Sequence, residues 1–153
     1  MPKGLPKGLH TVTPSLTIDG AVDAIAFYKK AFGAEEVSRA ADPSGKKIWH
    51  AAIRIGDSTV FLNDPFPEQG ANPNVSKLWI YTDDVDAAFK RAVDAGGQAG
   101  MTPTDMFWGD RVAMISDKWG NGWTLATRKE DLTPEQMKNR QDEAVKAWQE
   151  GKK

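Results

Sequence analysis

Residues 85–96 read VDAAFKRAVDAG, and residues 22–33 read VDAIAFYKKAFG. In the later segment Val85, Ala88, Phe89, Ala92 and Val93 recur at i, i+3, i+4, i+7 and i+8, an apolar stripe along a helix. Asp86, Lys90, Arg91 and Asp94 take the opposite face. Asp83 or Asp84 is placed to cap its start, and Gly96 to take a left-handed turn at its end. The earlier segment predicts a helix over residues 21–32 with Val22, Ile25, Ala26 and Phe32 on its apolar side and Gly33 ending it. The shared VDA and the closing glycine recur at an offset of 63 residues, an internal repeat of nearly half the chain.

Strands fill the space between these helices. Residues 11–18 alternate, with Val12, Leu16 and Ile18 on one side and Thr11, Thr13, Ser15 and Thr17 on the other. In residues 46–55, Trp49, Ala51, Ile53 and Ile55 share one face, and His50, Ala52 and Arg54 the other. Gly56, Asp57 and Ser58 make a turn, and residues 59–63 return as a hairpin partner. The second half repeats the plan with strands over residues 77–82, 112–116 and 122–127 and a turn over 118–121. Each half reads βαβββ. Two linkers stand apart: residues 64–76, with three Pro, join the halves, and residues 102–110 (TPTDMFWGD) read as an irregular, aromatic stretch. A last helix covers about 133–150. Thr133 caps it, Pro134 opens it, Gln136 completes a capping box, and Met137, Ala144, Val145 and Trp148 form a sparse stripe for the outside of the domain or a partner subunit.

Composition narrows the function classes. The chain has 153 residues, enough for one compact domain. The formal net charge is -1, with Lys and Arg interspersed among Asp and Glu, so nothing attracts nucleic acid or an anionic membrane. There is no cysteine, which removes disulfides, thiolate zinc sites and cysteine nucleophiles. Residues 1–9 lack the apolar core of a signal peptide, and the default location is cytoplasmic. Six Trp and only two His are present, so no site of three His can form within one chain.

Several motifs in order resemble one family. They are HTVTP (10–14), AFYKKAFG (26–33), HAAIRIGDS (50–58), FWGDR (107–111), WTLAT (123–127) and EDLTPE (130–135). Paired βαβββ modules with these motifs resemble the vicinal-oxygen-chelate superfamily of glyoxalases, bleomycin-resistance proteins and dioxygenases, and within it the PhnB-like branch. The resemblance implies an α+β fold: two βαβββ modules forming a curled, cup-shaped mixed sheet with helices outside, plus the C-terminal helix, as a single domain over 1–153 and as a homodimer.

Metal-dependent relatives carry His, Glu or Gln ligands at four equivalent points of the cup. The resemblance places these points at Thr13, Phe61, Lys77 and Thr124. A slide of two residues preserves facing and offers Thr11 or Ser15, Asn63, Trp79 and Ala126. Neither set suits a divalent cation: Phe and Trp have no donor, and a protonated Lys repels the ion. The expectation is a cup with no metal and no cofactor. The one escape is an unusual site of His50 with Asp110 or Asp117.

The remaining candidates have two readings each. Phe61, Trp79, Tyr81 and Trp108 line an aromatic cup or fill the core. His50 and Arg54 hold an anion, or Arg54 pairs with its repeat equivalent Asp117 to tie the halves together, the weightier reading. Asp110 and Arg111 belong to a lid over the pocket, or to a bent strand whose Arg pairs with an acid. Lys77 is a desolvated amine, or a lysine whose head reaches solvent. His10 has no assigned role. The favoured function is binding of a small organic, planar aromatic molecule in the cup without a metal, through Thr13, His50, Arg54, Phe61, Lys77, Trp79, Tyr81, Trp108, Asp110, Arg111 and Thr124. The alternative is a glyoxalase-type metal-dependent lyase, isomerase or dioxygenase with an atypical metal site. A metal-free enzyme using Lys77, His50 or Asp110 as base, and a structural dimer with a filled cup, also stay open.

Overall fold

The structure is a computed structural model and describes residues 2–152. The first half runs β1 (Ser15–Thr17), α1 (Ala21–Phe32), β2 (Glu35–Ala41), β3 (Ile48–Ile55) and β4 (Ser58–Asn63). The second runs β5 (Lys77–Tyr81), α2 (Val85–Asp94), β6 (Gln98–Asp105), β7 (Asp110–Ser116) and β8 (Gly122–Arg128). A last helix, α3 (Pro134–Gly151), follows. Each half is a four-stranded mixed sheet of the same order, β1-β4-β3-β2 and β5-β8-β7-β6, in which only the β1–β4 and β5–β8 pairs are parallel. The two βαβββ modules expected from the repeat are therefore present.

One apolar core joins the modules. Leu16, Ile53 and Leu62 of the first sheet and Ala113, Ile115, Trp123 and Leu125 of the second pack with Ala24, Ile25 and Tyr28 of α1 and Val85 and Ala92 of α2. Strand alternation sends the other residues to the opposite face of each sheet, which carries no helix. The core has one polar hub. The Asp117 carboxylate accepts hydrogen bonds from Tyr28 Oη (2.6 Å), Trp123 Nε1 (2.9 Å), and the backbone amides of Trp119 and Asn121. Burial first, then the bond to Asp117 and its charge, push the Tyr28 hydroxyl far above the ordinary tyrosine range, so it remains a donor.

Helix ends follow the repeat with one substitution of means. Asp84 Oδ1 accepts from Ala87 N and caps α2. The first residue of α2 is also held by Thr127 Oγ1, which accepts from Val85 N. At the equivalent place in the first half stands Asp64, whose carboxylate accepts from the amides of Gly20, Ala21 and Ile48, because Gly20 has no side chain to cap α1. Gly33 closes α1 at φ 68°, as expected.

Four expectations are corrected. The first strand is shorter than residues 11–18: Pro14 has no N–H to give, and its carbonyl accepts from Phe61 N as the last contact before the chain leaves the sheet. Half of the irregular stretch 102–110 is strand, since β6 runs to Asp105, and only residues 106–109 form the turn. Trp49 does not share the face of Ala51 and Ile53. Ala41 pairs with Ile48 and Ala40 with His50, so Trp49 is the extra residue of a bulge and is half exposed. Arg54 does not reach Asp117. It is bound by Glu35, opposite it on β2, while Asp117 is already satisfied by the four donors above.

The α3 helix has the expected capping box, Gln136 N to Thr133 Oγ1 and Thr133 N to Gln136 Oε1. It buries no residue fully: Met137 and Ala144 of its stripe are partly covered, while Val145 and Trp148, the latter 61% exposed, stand open. No helix among the described residues is long and apolar enough to cross a membrane.

Candidate functional site: two helix-free sheet faces

Pairing registers assign the candidate residues to rows. On the second sheet Trp79, Thr124 and Met114 lie side by side, and Tyr81, Ala126 and Val112 form the next row. Lys77 precedes them in the row of Gly122. Trp79 and Tyr81 are 47% and 56% exposed, and their rings are 6.2 Å apart with planes inclined at 33°. Met114 is 43% exposed beside them. Large apolar groups left together on a sheet face are a mark of a binding surface.

Asp110 anchors the far end of this face. It is only 1% exposed. Its Oδ2 accepts from Tyr81 Oη and from Trp108 Nε1, both at 2.9 Å. Its Oδ1 lies 2.7 Å from Arg128 Nε, but that N–H is not aimed at it, so Oδ1 is a buried acceptor without an aligned donor. The turn carrying Phe107 and Trp108 is closed by Gly109 at φ 98°, whose carbonyl accepts from the amides of Lys129 and Glu130. A Cβ at Gly109 would sit 2.4 Å from Glu130 O. Trp108 and Asp110 thus belong to one fixed corner with Tyr81. Arg111 points the other way: it is bidentate to Asp86 of α2 and also bound to Asp105, the bent-strand reading.

On the first sheet, Ser15, Phe61 and Ala52 share one row, Thr17 and Asn63 the next, and His50 lies opposite Ala40 of β2. The His50 ring meets Phe61 edge-on at 4.7 Å. Arg54 and its partner Glu35 lie at the end of this face. Thr13 sits before β1 on the N-terminal arm. No hydrogen bond, ion pair or ring contact joins the first-sheet group to the second-sheet group among the described residues. The facing edges β1 and β5 are not paired with each other. A cleft of about 360 Å³ lies along β5, lined by Thr13, Pro14, Thr59, Trp79, Tyr81 and other residues of both halves.

The donors present do not fit a metal. The points that the resemblance assigns to metal ligands hold Thr13 or Ser15, Phe61, Lys77 or Trp79, and Thr124, with no imidazole or carboxylate among them. The escape site is not assembled either. His50 packs edge-on against Phe61, Asp110 is held by Tyr81, Trp108 and Arg128, and Asp117 lies in the core. No three His, Asp or Glu among the described residues cluster as ligands.

The family model of the Glyoxalase/Bleomycin resistance protein/Dioxygenase superfamily matches residues 9–125. The chain belongs to this superfamily. An uncharacterized protein of Mycobacterium tuberculosis, Rv0887c, is 38% identical over 123 residues, 74% of this chain and 72% of that one. The YjdN protein of Escherichia coli is 28% identical over 80% of this chain and 98% of its own. Among solved structures, TnmS3, an antibiotic binding protein from a Streptomyces species, superposes with a TM-score of 0.60 at 28% identity, covering 78% of this chain and 95% of its own. A PhnB protein from Bacillus cereus superposes at 0.61 and 20% identity, covering 77% and 99%, a likeness of fold.

Three contributors to the site escaped the sequence reading. Met114 completes the row of Trp79, Arg128 neutralises Asp110, and Glu35 neutralises Arg54. Period-2 alternation signals Met114 once β7 is paired. The two ion partners depend on strand register, which one sequence does not state.

Proposed function

We propose that this superfamily member binds a small, planar aromatic molecule on the Trp79–Tyr81 face without a metal. The observation that carries it is that pair of half-exposed, mutually inclined rings, with Tyr81 held at the end of the face by buried Asp110. A flat ligand stacked on them removes apolar area of both partners from water, and offset stacking adds about 1 kcal/mol per ring pair. The likeness to an antibiotic binding protein at 28% identity supports a sequestering role over a catalytic one.

We further propose that a second copy completes the cup. Among the described residues no hydrogen bond, ion pair or ring contact joins the helix-free faces of the two sheets, and each half-cup leaves aromatic surface open. In a homodimer, the His50–Phe61 face of one copy closes over the Trp79–Tyr81 face of the other. The protein acts in the cytoplasm.

A thermal-shift screen of planar aromatics, run on metal-stripped protein and repeated with added zinc, nickel, manganese and iron, tests the reading. It predicts ligands that raise Tm equally with and without metal, and light scattering at twice the 16.8 kDa chain mass. Stabilisation that requires one tightly held metal per chain would contradict it and favour glyoxalase-type chemistry.

A further inference from the structure

The charges on the two helix-free faces can be counted row by row. The first sheet contributes Arg54 and Glu35 at opposed positions of β3 and β2, and they are bonded to each other. The second contributes Asp110 and Arg128 at opposed positions of β7 and β8, and they form an ion pair. The nearby acidic residues Asp86 and Asp105 are engaged by Arg111 on the other side of β7. What remains is Lys77. It is exposed, stands on the same face as Trp79 and Tyr81, and has no carboxylate within ion-pair distance among the described residues. The aromatic platform therefore ends in a cation with no ion-pair partner among the described residues; Tyr81 itself, His50 on the first sheet, and His10 and Asp57 in the adjoining cleft are further titratable groups, and Arg128 is shared between Asp110 and Asp131.

Spacing sets the shape of what would match it. Alternate residues on a strand are about 6.6 Å apart, and a lysine stem spans a similar reach. A ring lying on Trp79 and Tyr81 thus places a substituent bonded to it, directly or through one carbon, within reach of Lys77 Nζ. Resting on the aromatic-cup reading above, we propose that the ligand is a planar aromatic monoanion, an aryl carboxylate, whose ring stacks on Trp79 and Tyr81 and whose carboxylate accepts a charge-assisted hydrogen bond from Lys77.

The test compares three probes of one ring system by calorimetric titration at low salt: 2-naphthoate, 2-naphthalenemethanol and 2-naphthylmethylammonium. The expected order in wild-type protein is naphthoate first, by roughly tenfold over the alcohol, with the ammonium probe weakest. In Lys77→Met the naphthoate preference collapses to within about twofold, while Lys77→Arg retains it. Raised salt narrows the wild-type gap. Equal binding of naphthoate and alcohol in wild type would overturn the anion assignment and leave the aromatic cup standing. Failure of all three probes to bind wild type would overturn both. A naphthoate preference unchanged in a folded Lys77→Met protein would also overturn the role of Lys77.

Discussion

Tyr81 Oη donates to Asp110 Oδ2 at 2.9 Å, linking a ring that is more than half exposed to a carboxylate that is almost wholly buried. The same oxygen receives Trp108 Nε1, so one acid fixes two aromatic side chains at the end of the proposed binding face. Rigidity of this kind lowers the entropic cost of binding a flat ligand.

Asp110→Ala leaves Tyr81 Oη and Trp108 Nε1 without their acceptor and removes a buried ion partner of Arg128. Partial exposure of Tyr81 and Arg128 lets water replace some of the loss, so the expected cost is about 2–3 kcal/mol in urea unfolding. The folded variant should also bind aromatic probes more weakly. Tyr81→Phe, which removes a single hydrogen bond, should cost about 1 kcal/mol. Equal, near-zero effects in both variants would show that the corner is not a bracing unit.

The Asp117 hub predicts a different pattern. Tyr28→Phe removes one bond to a buried charged acceptor and should cost about 2 kcal/mol. Asp117→Ala strands four donors and should cost more, about 3–4 kcal/mol. Because both act on one network, the double variant should fall short of the sum. Chemical denaturation of the four proteins measures the coupling, and strict additivity would refute it.

Gly109→Ala should lower Tm and loosen the Trp108 turn. The position has φ 98°, and the new methyl would meet a backbone oxygen at 2.4 Å. A cost of about 2 kcal/mol or more is expected from strain and displacement together. Wild-type stability in this variant would mean that the turn shifts freely against residues 129–130.

Arg111, first by its hydrogen bonds and then by its charge, holds the Asp86 carboxyl below the ordinary aspartate range. Its folded pKa thus lies under its unfolded one. The link therefore contributes stability at pH values above the unfolded pKa and loses it as pH falls through the depressed value. An NMR titration should place the Asp86 midpoint below that of a free aspartate, and Arg111→Gln should return it upward. An unmoved midpoint would contradict the link.

The repeat was legible in the sequence because helix periodicity and closing glycines are local signals: the VDA segments, Gly33 and the Thr133 capping box all stand where the residues put them. The helix-free faces were legible too, since Lys77, Trp79 and Tyr81 alternate with core-facing Leu78 and Ile80. Long-range partners were not. Arg54 suggested Asp117 by repeat equivalence, but Glu35, on the preceding strand, lies opposite it in the register. Bulges defeat alternation as well: one extra residue at Trp49 turns that side chain outward without any mark in the local pattern. Residues 98–105 are polar and contain Gly100 and Pro103, so an edge strand there lacks the apolar signature that sequence reading relies on.

In the proposed metal-independent aromatic site, Trp79 forms the floor. The most direct measurement is quenching of intrinsic tryptophan fluorescence by 2-naphthoate in EDTA-treated wild type, Trp79→Ala and, as a control on α3, Trp148→Ala. Saturable quenching is expected in wild type and Trp148→Ala, and its loss in a folded Trp79→Ala protein. Saturable quenching that persists in Trp79→Ala, or that appears only after metal is restored, would contradict it.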